Sequence, residues 1–335
     1  MPRLIGLDLG TTYTRIWMPE RGVILRCPSA AAIDGQTRKL VALGAEAHKM
    51  LGKTPQDILA SRPIKEGVVS EFDVAARMIH AMFQSKKVCS TFNRPAVLLA
   101  TPYCIDQVQQ YAAENTVIEA GARAVGQIPA IFAAAAGAGL RVASPRGCMV
   151  LSIGGGLTES AIISLGGIIA ARSLKVAGDR FDAAIINYLK QKRNLVVGAT
   201  TAEELRVRIG VCDSGFDRGS MTVYGSNART GLASRQEVFS SEVCEAISPA
   251  VVAIGRNVLS LLENAPPEIA SDVYDYGIML TGGCAVMPGL PQALHRITGL
   301  RVTVAQHPRD CVIHGLGRIL ERPGLWGTPL EYRLK

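Results

Sequence analysis

The sequence is poor in aromatic residues, contains no closely paired cysteines, and has no long hydrophobic run. Aromatic residues make up 5% of the 335 positions, the basic residues are dispersed, and no nucleic-acid-binding motif is visible, so a nucleic-acid partner is not expected. The eight cysteines include no C-x-x-C pair, which favours reduced core thiols, and hence the cytoplasm, over a metal site or disulfides. The small apolar run from Ala130 to Leu140 is too short to span a bilayer.

The overall amino-acid composition is typical of a large folded α/β protein. Apolar residues make up 48% of the chain, enough for at least one large core, and the length favours two domains. Met1-Pro2-Arg3 leads directly into a predicted strand, so no signal peptide is expected. The net charge of +8 is compatible with weak attraction to anionic surfaces but establishes no such partner.

Two glycine-containing turns share one pattern. The run LSIGGGLTES, from Leu151 to Ser160, and the run IGLDLGTT, from Ile5 to Thr12, each lead from one apolar strand through a turn to another. Because glycine lacks a Cβ, such turns bring backbone N–H groups close to an anion. Two copies about one domain apart indicate an internal duplication, and two facing turns would hold the two ends of a polyphosphate.

The predicted elements repeat in the two halves. Three-strand meanders are predicted at 3–26 and at 149–176, and buried strands follow at Ala96–Ala100 and Ile278–Thr281. Polar, glycine-containing stretches at 33–66 and 213–240 are predicted to be inserted subdomains. A long apolar helix over Glu242–Glu263 should kink or begin at Pro249.

Four features are candidates for chemistry, and each has a plainer alternative. Asp8 in a buried strand suits the water shell of Mg²⁺, or caps a turn. The glycines at 154–156 suit phosphate, or form a flexible turn. Gly282-Gly283 suits a flat ligand, or is an ordinary strand-to-helix turn. Glu203 and Arg206 share a helix face and could touch the sugar and base of a nucleotide, or form a surface ion pair.

The order of these pieces resembles the actin, heat-shock chaperone and sugar-kinase superfamily, and within it the MreB-like bacterial actins. The runs that carry the resemblance include IGLDLGTTYTRIW, AAAAGAGL, IGGGLTESAIISLGGI and PPEIASDVYDYGIMLTGG, and they cover nearly the whole chain. The resemblance implies a duplicated α/β fold of two lobes, each with a mixed central sheet flanked by helices, and ATP in the cleft between them. The implied lobe I core is 1–32, 67–143 and 308–335 with 33–66 inserted, and the lobe II core is 144–178 and 248–307 with 179–247 inserted.

The resemblance also implies roles for individual residues. Asp8 would organise Mg²⁺ through water, Gly178 and Asp179 would lie near the ribose, and two loops would hold the phosphates. The first phosphate loop is Thr11, Thr12 and Tyr13, the second is Gly154, Gly155, Gly156 and Leu157, and the nucleoside is held by Glu203, Glu204, Leu205, Arg206, Gly282, Gly283, Cys284 and Ala285.

Several positions depart from the family pattern. Pro129 and Ala130 stand where family members carry an acidic pair, and Ser152 replaces an aspartate that helps to order the waters of Mg²⁺. Leu157 and Cys284 replace a threonine and a third glycine. Because phosphoryl transfer depends on positioning and electrostatics, we expect nucleotide binding with weak or absent hydrolysis.

The partners implied by the resemblance are other copies of the chain, the cell-wall synthesis machinery, other MreB proteins and the inner face of the membrane. Relatives often carry an N-terminal amphipathic helix, which this sequence lacks, so Lys86–Arg94 is the one candidate membrane loop; a solvated connection is equally compatible with it. Two functional hypotheses lead. The first is a filament that acts in cell shape, and the second is a paralogue that binds ATP without cycling and serves as a scaffold or modulator of a true filament. A kinase or chaperone is weaker, because a catalytic acid near Pro129 and further domains are not evident.

Overall fold

The computed structural model describes residues 4–89 and 94–322, which alternate between strands and helices throughout. The strands are β1 (Leu4–Leu9), β2 (Tyr13–Met18), β3 (Gly22–Pro28), β4 (Ala31–Asp34), β5 (Leu40–Leu43), β6 (Ile58–Ser61), β7 (Ile64–Lys65), β8 (Val68–Val69), β9 (Ala96–Thr101), β10 (Ala124–Pro129), β11 (Cys148–Ile153), β12 (Thr158–Ser164), β13 (Gly167–Leu174), β14 (Leu195–Val196), β15 (Ser220–Asn227), β16 (Ala233–Phe239), β17 (Ile278–Thr281) and β18 (Val302–Val304). The helices are α1 (Ala45–Met50), α2 (Phe72–Ser85), α3 (Gln107–Glu119), α4 (Ala130–Gly137), α5 (Gly178–Arg193), α6 (Ala199–Ile209), α7 (Ser240–Leu262), α8 (Pro267–Tyr276), α9 (Leu290–Thr298) and α10 (Cys311–Glu321).

Two five-stranded sheets repeat one topology. The order is β3-β2-β1-β9-β10 in the first lobe and β13-β12-β11-β17-β18 in the second. In each sheet the first three strands form an antiparallel meander. Two further strands lie on the other side of the first strand and run parallel to it. The duplication and the two-lobed α/β class expected from the sequence are therefore confirmed.

Smaller sheets are inserted into each lobe. Strands β4, β5 and β6 form one three-stranded sheet near α1, and β14, β15 and β16 form another. The sequence analysis predicted only Met221–Tyr224 as a strand in the second insertion, whereas the structure has two longer strands there, β15 and β16. The boundaries drawn for the four subdomains stay predictions.

Helix α7 corrects an expectation. It runs from Ser240 to Leu262 as one helix with Pro249 inside it, so no new helix begins at the proline. Its apolar face, which includes Val243, Ile247 and Val258, is buried in the core of the second lobe and holds the helix in place. Among the described residues, α7 is also the one helix long and apolar enough to cross a bilayer, and 33% of its apolar window is buried inside the protein.

The predicted membrane loop is only partly described. Val88, one of the two apolar residues flanked by the basic residues of Lys86–Arg94, is fully buried in the core of the first lobe, so its side chain is not available to contact lipid. The Nε of Arg94 donates a hydrogen bond to the Gly121 carbonyl, 3.1 Å away. Phe92, the other apolar residue in that prediction, lies outside the described residues.

Helices α4 and α10 cross between the two large sheets. Their buried residues form a core that also includes Trp17, Leu98 and Ile128 from the first sheet and Val150 and Ile163 from the second. This shared core joins the lobes.

The crossing is close because glycines lie at the contact. A Cβ on Gly137 would collide with the Cys311 carbonyl, and a Cβ on Gly315 would collide with the Ala133 carbonyl. Arg318 adds a hydrogen bond of 2.6 Å from Nη1 to the Ala136 carbonyl near the end of α4. The two helices therefore meet backbone to backbone.

Substituting Gly315→Ala should destabilise the protein by about 2 kcal/mol or more, because the added methyl group forces the two helices apart in a packed core. Urea unfolding monitored by circular dichroism measures the change. Gly167→Ala is the matched control, because a Cβ there has its nearest contact at 3.7 Å, from the Ser164 carbonyl. Equal midpoints for the two variants would contradict the importance of the crossing.

Candidate functional site

The two glycine turns have the same internal hydrogen bond. The N–H of Gly10 donates to the Tyr13 carbonyl at 3.1 Å, and the N–H of Gly154 donates to the Leu157 carbonyl at 2.9 Å. In each case the bond joins the first and fourth residues of the turn. The duplication seen in the sheets therefore extends to the turns themselves.

The turns face each other across the junction of the lobes. A Cβ on Gly155 would collide with the Thr12 hydroxyl, and a Cβ on Gly156 would lie 2.8 Å from the Thr11 hydroxyl. Thr11 also accepts a hydrogen bond of 2.9 Å from the N–H of Gly67. Glycine is required at 155 and 156 because the opposing threonines occupy the space of a side chain, and this close approach brings the two predicted phosphate loops together.

The start of α5 supports the second turn. The N–H groups of Gly178 and Asp179 donate to the carbonyls of Gly154 and Gly155 at 3.2 and 2.7 Å. The predicted ribose residues therefore contact the second glycine turn directly.

The segment after β17 supports the same turn from another side. Gly282 has φ +91°, and a Cβ there would collide with the backbone of Ile153. Gly283, Cys284 and Ala285 then form a short 3₁₀ turn to Val286. The Cys284 thiol lies 3.2 Å from the Gly154 carbonyl, and burial raises the pKa of this thiol to about 11, so it remains a protonated donor.

An ion-pair network, which we call the clasp, links the inserted parts of the two lobes. It consists of Arg62 from the first lobe with Asp179 and Glu203 from the second. The Nη2 of Arg62 donates to Glu203 at 2.7 Å, and its Nη1 donates to Asp179 at 3.3 Å. His48 lies 3.7 Å from the same Glu203 carboxylate. Sequence reasoning missed Arg62 because its partners are more than a hundred residues away.

Arg206 has a stronger partner than the one predicted. Its Nε and Nη2 contact the two carboxylate oxygens of Asp182 at 2.6 and 3.2 Å, whereas Glu203 is 4.0 Å away. Burial raises the pKa of Asp182 to about 6, although the Arg206 hydrogen bonds oppose this shift. Asp182 was missed, yet it lies one helical turn after Asp179, so its spacing on α5 could have indicated it.

Two residues of the predicted nucleoside set point elsewhere. The Leu205 side chain is fully buried in the core of the second lobe, so only its backbone could meet a ligand. Glu204 forms an i,i+4 ion pair with Arg208 at 2.9 Å. The side chains on this helix that join the clasp or its neighbouring ion pair are therefore Glu203 and Arg206.

Each large sheet has one polar pair opposite its glycine turn. In β1 and β2, Asp8 is the cross-strand partner of Arg15, and in β11 and β12, Ser152 is the partner of Glu159. Asp8 and Ser152 are both the last residue but one of their strands. They are therefore equivalent positions in the two halves, and cross-strand partners place their side chains on the same face of each sheet.

Comparison with known proteins identifies the family. The family described as MreB/Mbl protein matches residues 2–326. The chain is 38% identical over 332 residues to the cell shape-determining protein MreB of Escherichia coli K12, an alignment covering 97% of this chain and 95% of that protein. This chain belongs to the MreB/Mbl family. It is also 36% identical over 319 residues to the cell shape-determining protein Mbl of Bacillus cereus, with 95% and 96% of the two chains covered.

Solved MreB structures have the same fold. The MreB5 of Spiroplasma citri bound to AMPPNP matches with a TM-score of 0.91 and 33% identity, covering 96% of this chain and 97% of that one. The form of MreB5 bound to ADP matches with a TM-score of 0.90, at the same identity and coverage. The MamK double helical filament, at 18% identity and a TM-score of 0.76 over 96% and 99% of the chains, shares the fold.

Three positions that are expected to depart from the MreB pattern lie at or near the ends of strands. Pro129 is the last residue of β10, beside Thr101 of β9, and Ala130 begins α4. Ser152 lies beside Thr281 of β17 and opposite Glu159. Glu159 belongs to the run from Leu151 to Ser160 that marked the second turn in the sequence, but its surroundings depend on the fold.

Glu159 is a buried carboxyl that contacts both lobes. Its Oε1 accepts hydrogen bonds from the N–H of Tyr103 at 2.8 Å and from the Ser173 hydroxyl at 3.4 Å. Burial raises the pKa of this carboxyl from 4.5 to about 7, and the two hydrogen bonds oppose the shift. An acidic group in this MreB cleft is therefore able to exchange a proton near neutral pH.

The Glu159→Gln variant should be more stable relative to wild type at about pH 8 than at about pH 5. Because folding raises the pKa of Glu159, the folded wild type binds more protons between pH 4.5 and about pH 7. The stabilisation from this proton is therefore complete at low pH and is lost as the pH rises through 7.

Unfolding free energies across this range measure the difference, which should change by roughly 3 kcal/mol, at about 1.4 kcal/mol for each pKa unit. Parallel pH profiles for the variant and the wild type would show that Glu159 does not titrate in this window.

Proposed function

We propose that this chain binds ATP between its two lobes and assembles into an actin-like cytoskeletal filament with a role in cell shape. The observation that carries the nucleotide part is the pair of matching glycine turns, which meet without space for a side chain on Gly155 or Gly156. The MreB5 structures bound to ADP and AMPPNP support this proposal. The cell-shape role is supported by the names of the relatives from Escherichia coli and Bacillus cereus.

In this proposal the phosphates lie between the two turns, and the start of α5 and the segment after β17 hold the ribose and base. Hydroxyls and N–H groups of the first turn would donate to one end of the polyphosphate, and N–H groups of the second turn to the other. These donors are Thr11, Thr12 and Tyr13 on one side and Gly155, Gly156 and Leu157 on the other, with Gly154 closing the second turn through its own N–H.

Mg²⁺ fits this site less well than the nucleotide does. The carboxylate predicted to organise its waters, Asp8, already contacts Arg15, and Ser152 supplies a hydroxyl in place of a second carboxylate. Among residues 4–89 and 94–322, no group of three or more His, Cys, Asp or Glu side chains could hold a metal ion.

Adding Mg-ATP should raise the melting temperature, because a ligand that binds only the folded state stabilises it by mass action. Differential scanning fluorimetry measures the shift. Gly155→Asp should abolish it, since the new side chain collides with Thr12 and adds a negative charge next to the proposed phosphate site.

Gly167→Asp, at the start of β13, adds the same charge to the same lobe and should keep the full shift. The absence of any shift in the wild type at millimolar ATP, with no heat of binding in calorimetry, would refute nucleotide binding.

We propose that hydrolysis is weak. Water positioning and general-base assistance contribute roughly 10²–10⁴-fold to rate, and the three positions where the family carries acids are Pro129, Ala130 and Ser152. Steady-state phosphate release should therefore be lower by this order than that of the Escherichia coli relative, and filaments should disassemble slowly.

Ser152→Asp combined with Glu at 129 and 130 should raise phosphate release, and Ser152→Asn with the same two changes is the uncharged control. If the wild type releases phosphate as fast as the relative, weak hydrolysis is refuted. Glu159 would then be the next residue to test as the group that orders the attacking water.

The alternative is a paralogue that binds ATP without cycling and serves as a scaffold for a true MreB filament or for another machinery. Pelleting with ATP separates the two, because a filament sediments alone and a scaffold only with its partner. Contacts with cell-wall synthesis proteins and with the membrane remain proposals. With Val88 buried, membrane binding through 86–94 should be weak and sensitive to salt in flotation with anionic vesicles.

A further inference from the structure

The Asp8 carboxylate lies beneath the first glycine turn. Its side chain is 13% exposed, and its Oδ1 lies 3.9 Å from the position that a Cβ on Gly10 would take. Burial raises the pKa of Asp8, and the neighbouring Arg15 opposes this shift. A carboxylate in such a place needs a positive partner.

Arg15 supplies that positive charge from within the chain. Its Nη1 donates to Asp8 Oδ2 at 3.1 Å, and its Nε donates to Asp310 Oδ1 at 3.0 Å. Arg26 neutralises the other oxygen of Asp310, with Nε and Nη2 both 3.0 Å from Oδ2. The four side chains therefore form a cluster with two positive and two negative charges, in which Asp8 is already paired.

The guanidinium of Arg15 also lies beside the first turn. It packs over the ring of Tyr13, with the guanidinium carbon 5.5 Å from the ring centroid. Its side chain is 13% exposed, so Asp8, Asp310 and Tyr13 restrict it to one orientation. Among the described residues, no hydrogen-bond acceptor is found for its Nη2. A fixed guanidinium with a donor to spare is suited to phosphate oxygens.

We propose that Arg15 takes over part of the charge-neutralising role of Mg²⁺ at this site, so that the chain binds nucleoside triphosphate with little dependence on a divalent cation. Asp8 then serves as the acceptor that orients Arg15, and Ser152 has no metal-bound water to order. The inference rests on the proposed nucleotide cleft and adds to it a fixed guanidinium donor for the phosphate oxygens.

The test measures the affinity for AMPPNP by calorimetry, once with millimolar MgCl₂ and once with EDTA. Because AMPPNP resists hydrolysis, the readout is independent of turnover. In the wild type, removing Mg²⁺ should weaken binding by less than about tenfold. A loss of about a hundredfold or more would overturn the proposal.

Arg15→Leu should make binding dependent on the metal. The affinity in EDTA should fall by about tenfold or more, the order expected for one charge-assisted contact, whereas Mg²⁺ should restore part of it because Asp8 is released. An unchanged ratio of the two affinities would overturn the proposal.

Leaving Asp8 buried without a partner could unfold the Arg15→Leu variant, so the double variant Asp8→Asn with Arg15→Leu gives a second measurement. It should bind weakly in both conditions, and binding as tight as that of the wild type in EDTA would also overturn the proposal.

Two further variants complete the design. Asp8→Asn alone should weaken AMPPNP binding by a similar factor with and without Mg²⁺, because it loosens the orientation of Arg15, whereas an Asp8 that organises the metal would lose affinity only with Mg²⁺. Arg26→Gln is the matched control, since it removes a neighbouring guanidinium from Asp310 but leaves the Arg15–Asp8 contact in place, and its two affinities should match those of the wild type.

If the wild type binds AMPPNP in neither condition, the nucleotide cleft itself is refuted. Strong binding only with Mg²⁺ refutes the role of Arg15 and leaves the nucleotide cleft standing.

Discussion

The backbone contact between α4 and α10 is the constraint on which the arrangement of the two lobes depends. Each helix presents a glycine to a carbonyl of the other, Gly137 to Cys311 and Gly315 to Ala133, so the helices are as close as two backbones can be. Because each also packs on a large sheet, this spacing fixes how near the sheets come to each other. The approach of the two glycine turns is a consequence of that spacing, since the turns leave the ends of β1 and β11, the central strands of those sheets.

Much of this arrangement was predictable because it is local or repeated. Strand, glycine turn and strand appear in the right order in both halves, and short-range patterns are enough to predict the meanders and the duplication. The contacts of Arg62 with Glu203 and of Arg15 with Asp310 were not predictable, since the partners are separated by 141 and 295 positions. Burial of Val88 was also missed, because its charged neighbours suggested an exposed loop, whereas core packing decides its position.

The duplicated halves place different charges at equivalent points. In the first lobe an acid faces a base, Asp8 and Arg15, and in the second a hydroxyl faces an acid, Ser152 and Glu159. The backbone of the site is thus nearly symmetric, whereas its electrostatics are not. The cross-strand pairs differ between the halves although the turns above them are closed by the same backbone hydrogen bond. Fold comparison therefore identifies the cleft, and the side chains must be considered separately to infer what it does.

The crossing of α4 and α10 is also the place about which one lobe would rotate relative to the other. Each glycine lies against a carbonyl of the other helix, and a change in the crossing angle of the two helices would turn one lobe against the other. Arg62, Asp179 and Glu203, which form the clasp, lie outside the shared core and therefore away from the helix crossing. A rotation of a few degrees at the crossing would be magnified at the clasp, and its ion pairs would separate before the core was disturbed. The distances within the clasp therefore depend on the angle between the lobes.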